Sequence, residues 1–120
     1  PGVGREFSGA GFNATLRDFA RVGQMVLNGG EANGHQIVPR QWLDESVRPT
    51  GGPGPGYGYQ WWMGPVSGSF MAQGLQGQYI YVDPASRTVV VKLSYFPPGD
   101  MEPGKETAAF LAAASAWSAH

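Results

Sequence analysis

The chain has 120 residues, of which 42% are hydrophobic and 14% charged, and its formal net charge is −1. This size suits one domain with a modest core, and the near-neutral charge gives no basic surface for nucleic acid or an anionic membrane. No apolar run reaches the ~20 residues of a membrane span, and the absence of cysteine excludes a disulfide scaffold, a thiolate zinc site and a thiol nucleophile.

The first predicted element is a helix over residues 15–28. Its apolar side chains recur at the helical period and form one face. Thr15 and Asp18 have the spacing of a capping box, in which side-chain oxygens accept hydrogen bonds from the free N–H groups of the first turn. Gly29 and Gly30 then end the helix, since glycine readily adopts left-handed backbone.

Two further helices are predicted, over residues 39–46 and 105–118. Pro39 suits the first turn of the shorter helix, because proline has no N–H to leave unbonded there. A run rich in Gly and Pro separates this helix from residue 57 and excludes regular structure. The longer helix is rich in alanine, and its predicted apolar face consists of Phe110, Leu111, Ala114 and Trp117.

The pattern changes from helical to β at Tyr57. Runs rich in aromatic and β-branched residues follow at positions 57–63, 68–73, 77–83 and 88–96. They predict an antiparallel meander of three or four strands within 57–96. Residues 89–91 are all valine and show no alternation, which indicates a strand covered on both faces. With helices on both sides of the meander, residues 1–120 are predicted to be a single α+β domain with helices packed on the sheet.

Gly74 and Gly77 stand three residues apart, directly in front of a strand-like run. A phosphate-binding loop is disfavoured, because such a loop leads into a helix. Two interpretations remain: a tight corner at which only glycine fits, or a backbone that must approach a ligand. In the second, the N–H of Leu75 points at a carbonyl oxygen that becomes negative during acyl transfer. We also expect Gly77 to hold a backbone geometry closed to other residues.

The order of segments along the chain is more specific than any one of them. A capped NATLRDFARVGQMVLNGG helix is followed by QIVPRQWLDESV, a Gly/Pro loop, YGYQWW, QGLQGQYIYVDP and a terminal helix. This order resembles the C-terminal part of the serine β-lactamase and penicillin-binding-protein superfamily, in the class C-like branch that includes esterases and aminohexanoate-oligomer hydrolases. The resemblance covers roughly Ser8 to Trp117 and implies a partial β-lactamase-like fold of bacterial origin.

In that superfamily a sheet edge strand carries a Lys-Thr-Gly triplet beside the nucleophile. The matching residues here are Ala72, Gln73 and Gly74, so that only the glycine is kept. This departure argues against an efficient β-lactamase and suits the esterase and amidase branch. By resemblance, the N–H of Leu75, next to Gly74, supplies half of an oxyanion hole.

The same resemblance implies substrate contacts at Trp61, Gln73, Gln76 and Gly77. Trp61 would form a wall of the acyl pocket, and an ordinary core tryptophan is the alternative. The aromatic residues of 57–62 also allow a sugar-stacking stripe. No metal or cofactor is expected, since His35 and His120 do not have a metal-ligand spacing.

The catalytic pair of this superfamily is absent from the sequence. No serine is followed by lysine three positions later, and no tyrosine begins a Tyr-x-Asn or Tyr-x-Ser triplet. We therefore predict the C-terminal portion of a serine hydrolase that acts on a small ester or amide substrate through an acyl-serine intermediate, with its nucleophile upstream of Pro1. A non-enzymatic binding or structural module that retains the half-fold is the alternative. The cytoplasm and the periplasm both remain open.

The expected partner of the chain is the missing N-terminal segment of the same domain, which would cover one face of the sheet. Without that segment we expect self-association, because contiguous apolar surface exposed to water marks interaction sites. The side chains expected to contribute to this surface are Tyr59, Trp61, Ile80, Val89 and Val91.

The 120-residue chain alone is expected to be catalytically inert, because no serine has a base at the required spacing. It should not hydrolyse a nitrophenyl ester or a chromogenic cephalosporin above background, and intact mass should show no adduct with a fluorophosphonate probe. Stoichiometric labelling of one serine would show that the chain contains its own nucleophile.

Overall fold

The computed structural model describes residues 14–51, 56–74, 78–94 and 102–118. Within these ranges the chain has the α+β fold predicted from the sequence. Its helices are α1 (Leu16–Leu27), α2 (Arg40–Ser46) and α3 (Glu102–Ser118). Its strands are β1 (Glu31–Ala32), β2 (His35–Gln36), β3 (Trp62–Met63), β4 (Phe70–Gln73), β5 (Tyr79–Asp83) and β6 (Thr88–Lys92).

Four of the strands form one antiparallel sheet in the order β3-β4-β5-β6, so the meander has four strands rather than three. Phe70, Val82 and Val89 lie in register across the last three of these strands. Because side chains alternate along a strand, these three share one face, whereas Tyr81 and Val90 share the other. Side chains pack against helices on both faces, which explains the unbroken run of valines in β6.

The first face of the sheet is covered by α1 and α2. Gly23 is buried where α1 crosses the sheet, and a Cβ at this position would lie 2.6 Å from Cγ1 of Val89. The lack of a side chain there lets the helix backbone lie close to β6. The core between the helices and this face consists of Val26, Leu43, Phe70 and Val82.

The ends of α1 follow the signals in the sequence. Thr15 is the N-cap, and its Oγ1 accepts a hydrogen bond from the backbone N of Asp18 at 3.1 Å. The hydrogen bond with Thr15 and, next, that with Arg21 hold the pKa of Asp18 below its usual value. At the other end, Gly29 and Gly30 have φ angles of 70° and 94° and turn the chain away from the helix.

The second face is covered by α3, which turns a different side to the sheet than predicted. Leu111 is fully buried, and the hydroxyl of Tyr81 lies 2.6 Å from Oγ of Ser115. Phe110 and Trp117, by contrast, are 56% and 80% exposed, so the predicted apolar face was wrong at these two positions. A buried tyrosine hydroxyl needs a hydrogen-bond partner, and only the side of α3 that bears Ser115 supplies one.

A small hairpin formed by β1 and β2 was not predicted from the sequence. Its turn consists of Asn33 and Gly34, whose φ angles are 52° and 79°. Asn-Gly is the strongest short-range signal for such a hairpin, because both central residues need positive φ. The two strands have only two residues each, too few for an alternating pattern to show. His35 is exposed on this hairpin.

The side chains expected to face water are largely covered by α1. Tyr59 is 46% exposed, whereas Trp61, Ile80, Val89 and Val91 are only partly exposed. The expectation therefore holds fully for one of the five. Among the residues described, no helix is long and apolar enough to cross a membrane.

The orientation of α3 predicts a large difference between two adjacent positions. Leu111→Ala should lower the free energy of unfolding by about 2–5 kcal/mol, because it leaves a cavity in the core. Phe110→Ala should change it by about 0.5 kcal/mol or less, because that ring is mostly in water. Urea unfolding of the two variants measures both values, and equal losses would mean that α3 is rotated about its axis.

Candidate active site

The segment between α2 and β3 is fixed to the last turn of α2. The backbone N of Tyr59 donates to the carbonyl oxygen of Ser46 at 2.8 Å, and a Cβ on Gly58 would lie 2.1 Å from the same oxygen. Only glycine permits this approach. The rings of Trp42 and Tyr59, with centroids 5.3 Å apart, add a second contact. This anchoring sets where the next two residues meet the sheet.

Gln60 then changes the direction of the chain, with a φ of 67°. The ladder between β3 and β4 accordingly ends at the pair of Trp62 and Met71. Beyond it, Ala72 and Gln73 pair with β5 on one side, and no residue in the described part of the chain pairs with them on the other. The backbone of β4 therefore has an open edge just before Gly74.

The corner after β4 is closed by Gln78. The backbone N of Gly74 donates to the carbonyl oxygen of Gln78 at 2.8 Å, and Nε2 of Gln78 donates to the carbonyl oxygen of Ser94 at 3.2 Å. A Cβ on Gly74 would lie 2.5 Å from Oε1 and 3.1 Å from Cβ of Gln78. Gly74 thus makes room for a side chain that ties the corner to the end of β6. The glycine signalled this close contact, but nothing in the sequence identified Gln78 as the other partner.

A cavity of about 240 Å³ lies beside this corner. No charged side chain is among its lining residues. Burial raises the pKa of the Tyr79 hydroxyl, because the ionised form is less well solvated there. The lining residues are Phe19, Ala72, Gln73, Gly74, Gln78, Tyr79, Ile80, Val91 and Leu93.

Trp61 combines the two roles that the sequence left open. It is half-buried and packs edge-on against Phe70, with ring centroids 5.2 Å apart and an interplanar angle of 85°. It also lines two further cavities, of about 200 and 540 Å³, the smaller of which extends to Ala72. One side of the ring is therefore core and the other is accessible to a ligand.

The predicted site is only partly within the described residues. Gln73, Gly74 and Ala72 lie together at the open edge, with Trp61 in the neighbouring cavity. Leu75, Gln76 and Gly77 lie outside the described residues, so their roles stay predictions.

Lys92 contacts Ser94, which lies two residues further along the chain. Its Nζ donates a hydrogen bond to Oγ of Ser94 at 2.6 Å, near the corner at Gly74. A basic group therefore lies beside a serine, although not at the Ser-x-x-Lys spacing. In this contact the amine is the donor, whereas a general base would have to accept the serine proton. Ser94 is the residue at which reaction with a fluorophosphonate would be informative.

The remaining acidic and histidine side chains form no catalytic or metal site among the residues described. Asp83 is buried but accepts hydrogen bonds from the N of Ala85 and Oγ of Ser86, which is the geometry of a closed turn. Asp44 and Glu45 are exposed on α2. No group of three metal-ligating side chains occurs in the described ranges.

Comparison with known proteins gives a consistent result. The family model described as Beta-lactamase matches residues 1–114. The 6-aminohexanoate-dimer hydrolase of Paenarthrobacter ureafaciens is 37% identical over 112 residues, which cover 82% of this chain and 28% of that protein. A solved structure from Bacillus anthracis that carries the name of a 6-aminohexanoate-dimer hydrolase matches with a TM-score of 0.70 and 34% identity, over 87% of this chain and 29% of that one. The chain thus spans less than a third of the length of these relatives, and the resemblance predicted from the sequence is confirmed.

The contact between Gly74 and Gln78 can be tested by a double-mutant cycle. Gly74→Ala should lower the free energy of unfolding by about 1–3 kcal/mol, because the new methyl group displaces the Gln78 amide. In a Gln78→Ala background most of that cost should disappear, because the displaced atoms are gone. Urea unfolding of the four proteins gives the coupling energy, and strictly additive costs would show that the corner does not depend on this contact.

Proposed function

This chain belongs to the β-lactamase family, and from that premise we propose that it is the C-terminal portion of a serine hydrolase that cleaves an ester or amide through an acyl-serine intermediate. In this proposal the chain supplies the oxyanion strand and part of the pocket wall. The nucleophilic serine and its base come from residues outside this chain, because the sequence contains neither Ser-x-x-Lys nor Tyr-x-Asn.

The observation that carries the proposal is the open backbone edge of β4, which leads through Gly74 into Leu75. When a serine hydroxyl adds to a carbonyl carbon, the carbonyl oxygen becomes an oxyanion. N–H donors at about 2.7–3.1 Å from that oxygen stabilise its negative charge. Backbone at an unpaired strand edge has donors that no other strand occupies. The N–H of Leu75 would be one donor, and that of the nucleophile the other.

The chemistry then runs in two steps that this chain helps to orient. The base takes the serine proton as the hydroxyl adds and gives it to the leaving oxygen or nitrogen as the oxyanion collapses, so that a neutral alcohol or amine leaves and the acyl group stays on serine. Water that loses a proton to the same base then releases the acid and restores the serine. Trp61 would hold the acyl group against the sheet, and Gln73 and Gln76 would contact polar atoms of the substrate. Gly77 would keep the backbone close to the substrate.

The side chains at the open edge favour an uncharged substrate. By resemblance, Ala72 and Gln73 occupy the positions at which the superfamily has lysine and threonine, so neither of these positions supplies a cation for a substrate carboxylate. The relatives named above are called 6-aminohexanoate-dimer hydrolases. We infer a small linear amide or ester as the substrate class for the complete protein.

A non-enzymatic binding module is the second candidate. The exposed aromatic rings of Trp42 and Tyr59 and the cavity beside them suit a binding function without catalysis. The coding sequence upstream of Pro1 separates the two candidates. Ser-x-x-Lys and Tyr-x-Asn in that sequence would support the hydrolase, and a start codon within a few residues of Pro1 would support the module.

The oxyanion role of Leu75 predicts a sharp difference between two substitutions in the protein that includes the upstream segment. Leu75→Pro removes the N–H donor and should lower kcat for a nitrophenyl ester by about 10²–10³-fold. Leu75→Ala keeps the donor and should leave kcat nearly unchanged. Urea unfolding and KM serve as controls for misfolding.

Two results would contradict the proposal. Equal kcat values for the two variants would remove Leu75 from the reaction. Absence of fluorophosphonate labelling in the protein with its upstream segment would remove the acyl-serine mechanism as a whole.

A further inference from the structure

The three cavities adjoin one another, because neighbouring cavities share lining residues. The cavity at Gly74 shares Phe19, Ala72 and Ile80 with the one beside Trp61. That cavity in turn shares Val22, Gln60 and Trp61 with the largest one, of about 540 Å³. We call the combined depression the trough.

One wall of the trough is a single face of α1. Phe19, Val22 and Val26 are spaced by three and four residues and therefore lie in a row along the helix. The opposite wall comes from the sheet and from the segment that is anchored to α2. The trough thus runs from the open edge of β4, along α1, to the ring of Trp42.

The lining of the trough is uncharged along its whole described length. Apolar and aromatic side chains make up most of it. Its polar side-chain groups are those of Ser46, Tyr59, Gln60, Gln73, Gln78 and Tyr79, with the indole N–H groups of Trp42 and Trp61. The hydroxyl of Ser46 donates to the carbonyl oxygen of Trp42 at 2.7 Å, and Gln78 donates to the carbonyl oxygen of Ser94. A charged ligand would find no opposite charge here, whereas an uncharged chain would bury apolar surface.

Gln60 is the polar residue common to two sections of the trough. Its backbone has a φ of 67°, a conformation that costs free energy for any residue with a side chain and would suit glycine better. Its side-chain amide has no hydrogen-bond partner among the residues described. Gln60 is exposed, so its amide is accessible to water and to a ligand alike. A strained backbone position that holds an accessible amide at the junction of two cavities has the features of a ligand contact.

We propose that the trough binds the uncharged aliphatic arm of a substrate and that the side-chain amide of Gln60 positions this arm by hydrogen bonding to an amide or carbonyl group on it. The inference rests on the proposed function for the reacting end of the substrate, which lies at Gly74. The binding of the arm itself depends only on residues described here. Gln60 would act on specificity, with no part in bond breaking.

Binding can be tested on the 120-residue chain without catalysis. N-hexylhexanamide is the probe, and N-methylacetamide is the short control. Binding is measured by NMR, from the side-chain amide resonance of Gln60 and the indole resonances of the tryptophans. The long amide should shift the Gln60 resonance in a saturable way, and the short one should not. Gln60→Gly keeps the left-handed backbone but loses the amide, and should weaken binding about tenfold, whereas Gln60→Asn keeps both and should bind nearly as the parent.

A second measurement is the kinetics of the protein with its upstream segment. This measurement does not depend on whether the 120-residue chain folds alone. Gln60→Gly should raise KM for a nitrophenyl ester with a long amide-containing acyl chain by about tenfold and leave kcat unchanged. Neither constant should change for nitrophenyl acetate. Gln60→Asn should restore the parent KM.

The outcomes separate this inference from the proposed function. Hydrolysis with equal KM values for Gln60→Gly and the parent would overturn the inference and leave the hydrolase intact. Saturable binding of the long amide without any hydrolysis would overturn the hydrolase and leave the trough as a binding site. Absence of binding by a folded 120-residue chain would also overturn the inference.

Discussion

The approach of Gly58 to the carbonyl oxygen of Ser46 determines how the candidate site is built. A side chain at position 58 would force the segment away from α2, since a Cβ would lie 2.1 Å from that oxygen. Because position 58 is glycine, the N–H of Tyr59 can donate to the carbonyl oxygen of Ser46. The chain then reverses its direction at Gln60 before it joins the sheet. The early end of β3 follows from this reversal, and so does the unpaired edge of β4. One backbone contact thus links the end of a helix to the part of the sheet at which a carbonyl group could be bound.

The helix α1 contributes to the core and to the trough at the same time. Gly23 and Val26 face the sheet and are buried, whereas Val22 is 37% exposed on the side next to Trp61. A helix that packs through a glycine lies close to the sheet, which narrows the space beside it to the width of a few side chains. The core and the trough share side chains, since Val26 belongs to the core with Phe70 and Val82 and Trp61 packs against that core. Apolar side chains are thereby held near water at the edge of the core. Such surfaces are typical of ligand grooves and of contacts with other parts of a protein.

The sequence predicted the ends of α1 from local signals, and most of what it missed depends on tertiary contacts. The exception is the hairpin of β1 and β2, whose Asn-Gly turn is a local signal that was missed. The capping pair at Thr15 and the glycines after α1 act within a few residues, so their geometry could be read from spacing alone. The side of α3 that faces the sheet depends on the hydroxyl of Tyr81, which is distant in sequence, and hydrophobicity favoured Phe110 instead. The left-handed backbone of Gln60 had no signal, because glutamine rarely adopts it. The contact of Lys92 with Ser94 runs along one strand, outside the helical spacing that the motif requires.

The loss of charge at the open edge changes the basis on which a substrate can be selected. A lysine beside the nucleophile selects substrates with a carboxylate through a strong, directional interaction. With Ala72 and Gln73 instead, a substrate can be selected only by its shape and by neutral hydrogen bonds at these positions. An apolar wall discriminates weakly, since one methylene is worth only about 1–3 kcal/mol, and it tolerates related chains. Gln60 and Gln73 are exposed, so hydrogen bonds to them would add strong discrimination only where a bound substrate excludes water from them. Selectivity at an edge of this kind therefore depends on the few amide side chains that reach it, and an apolar trough alone would accept a range of arms of similar length.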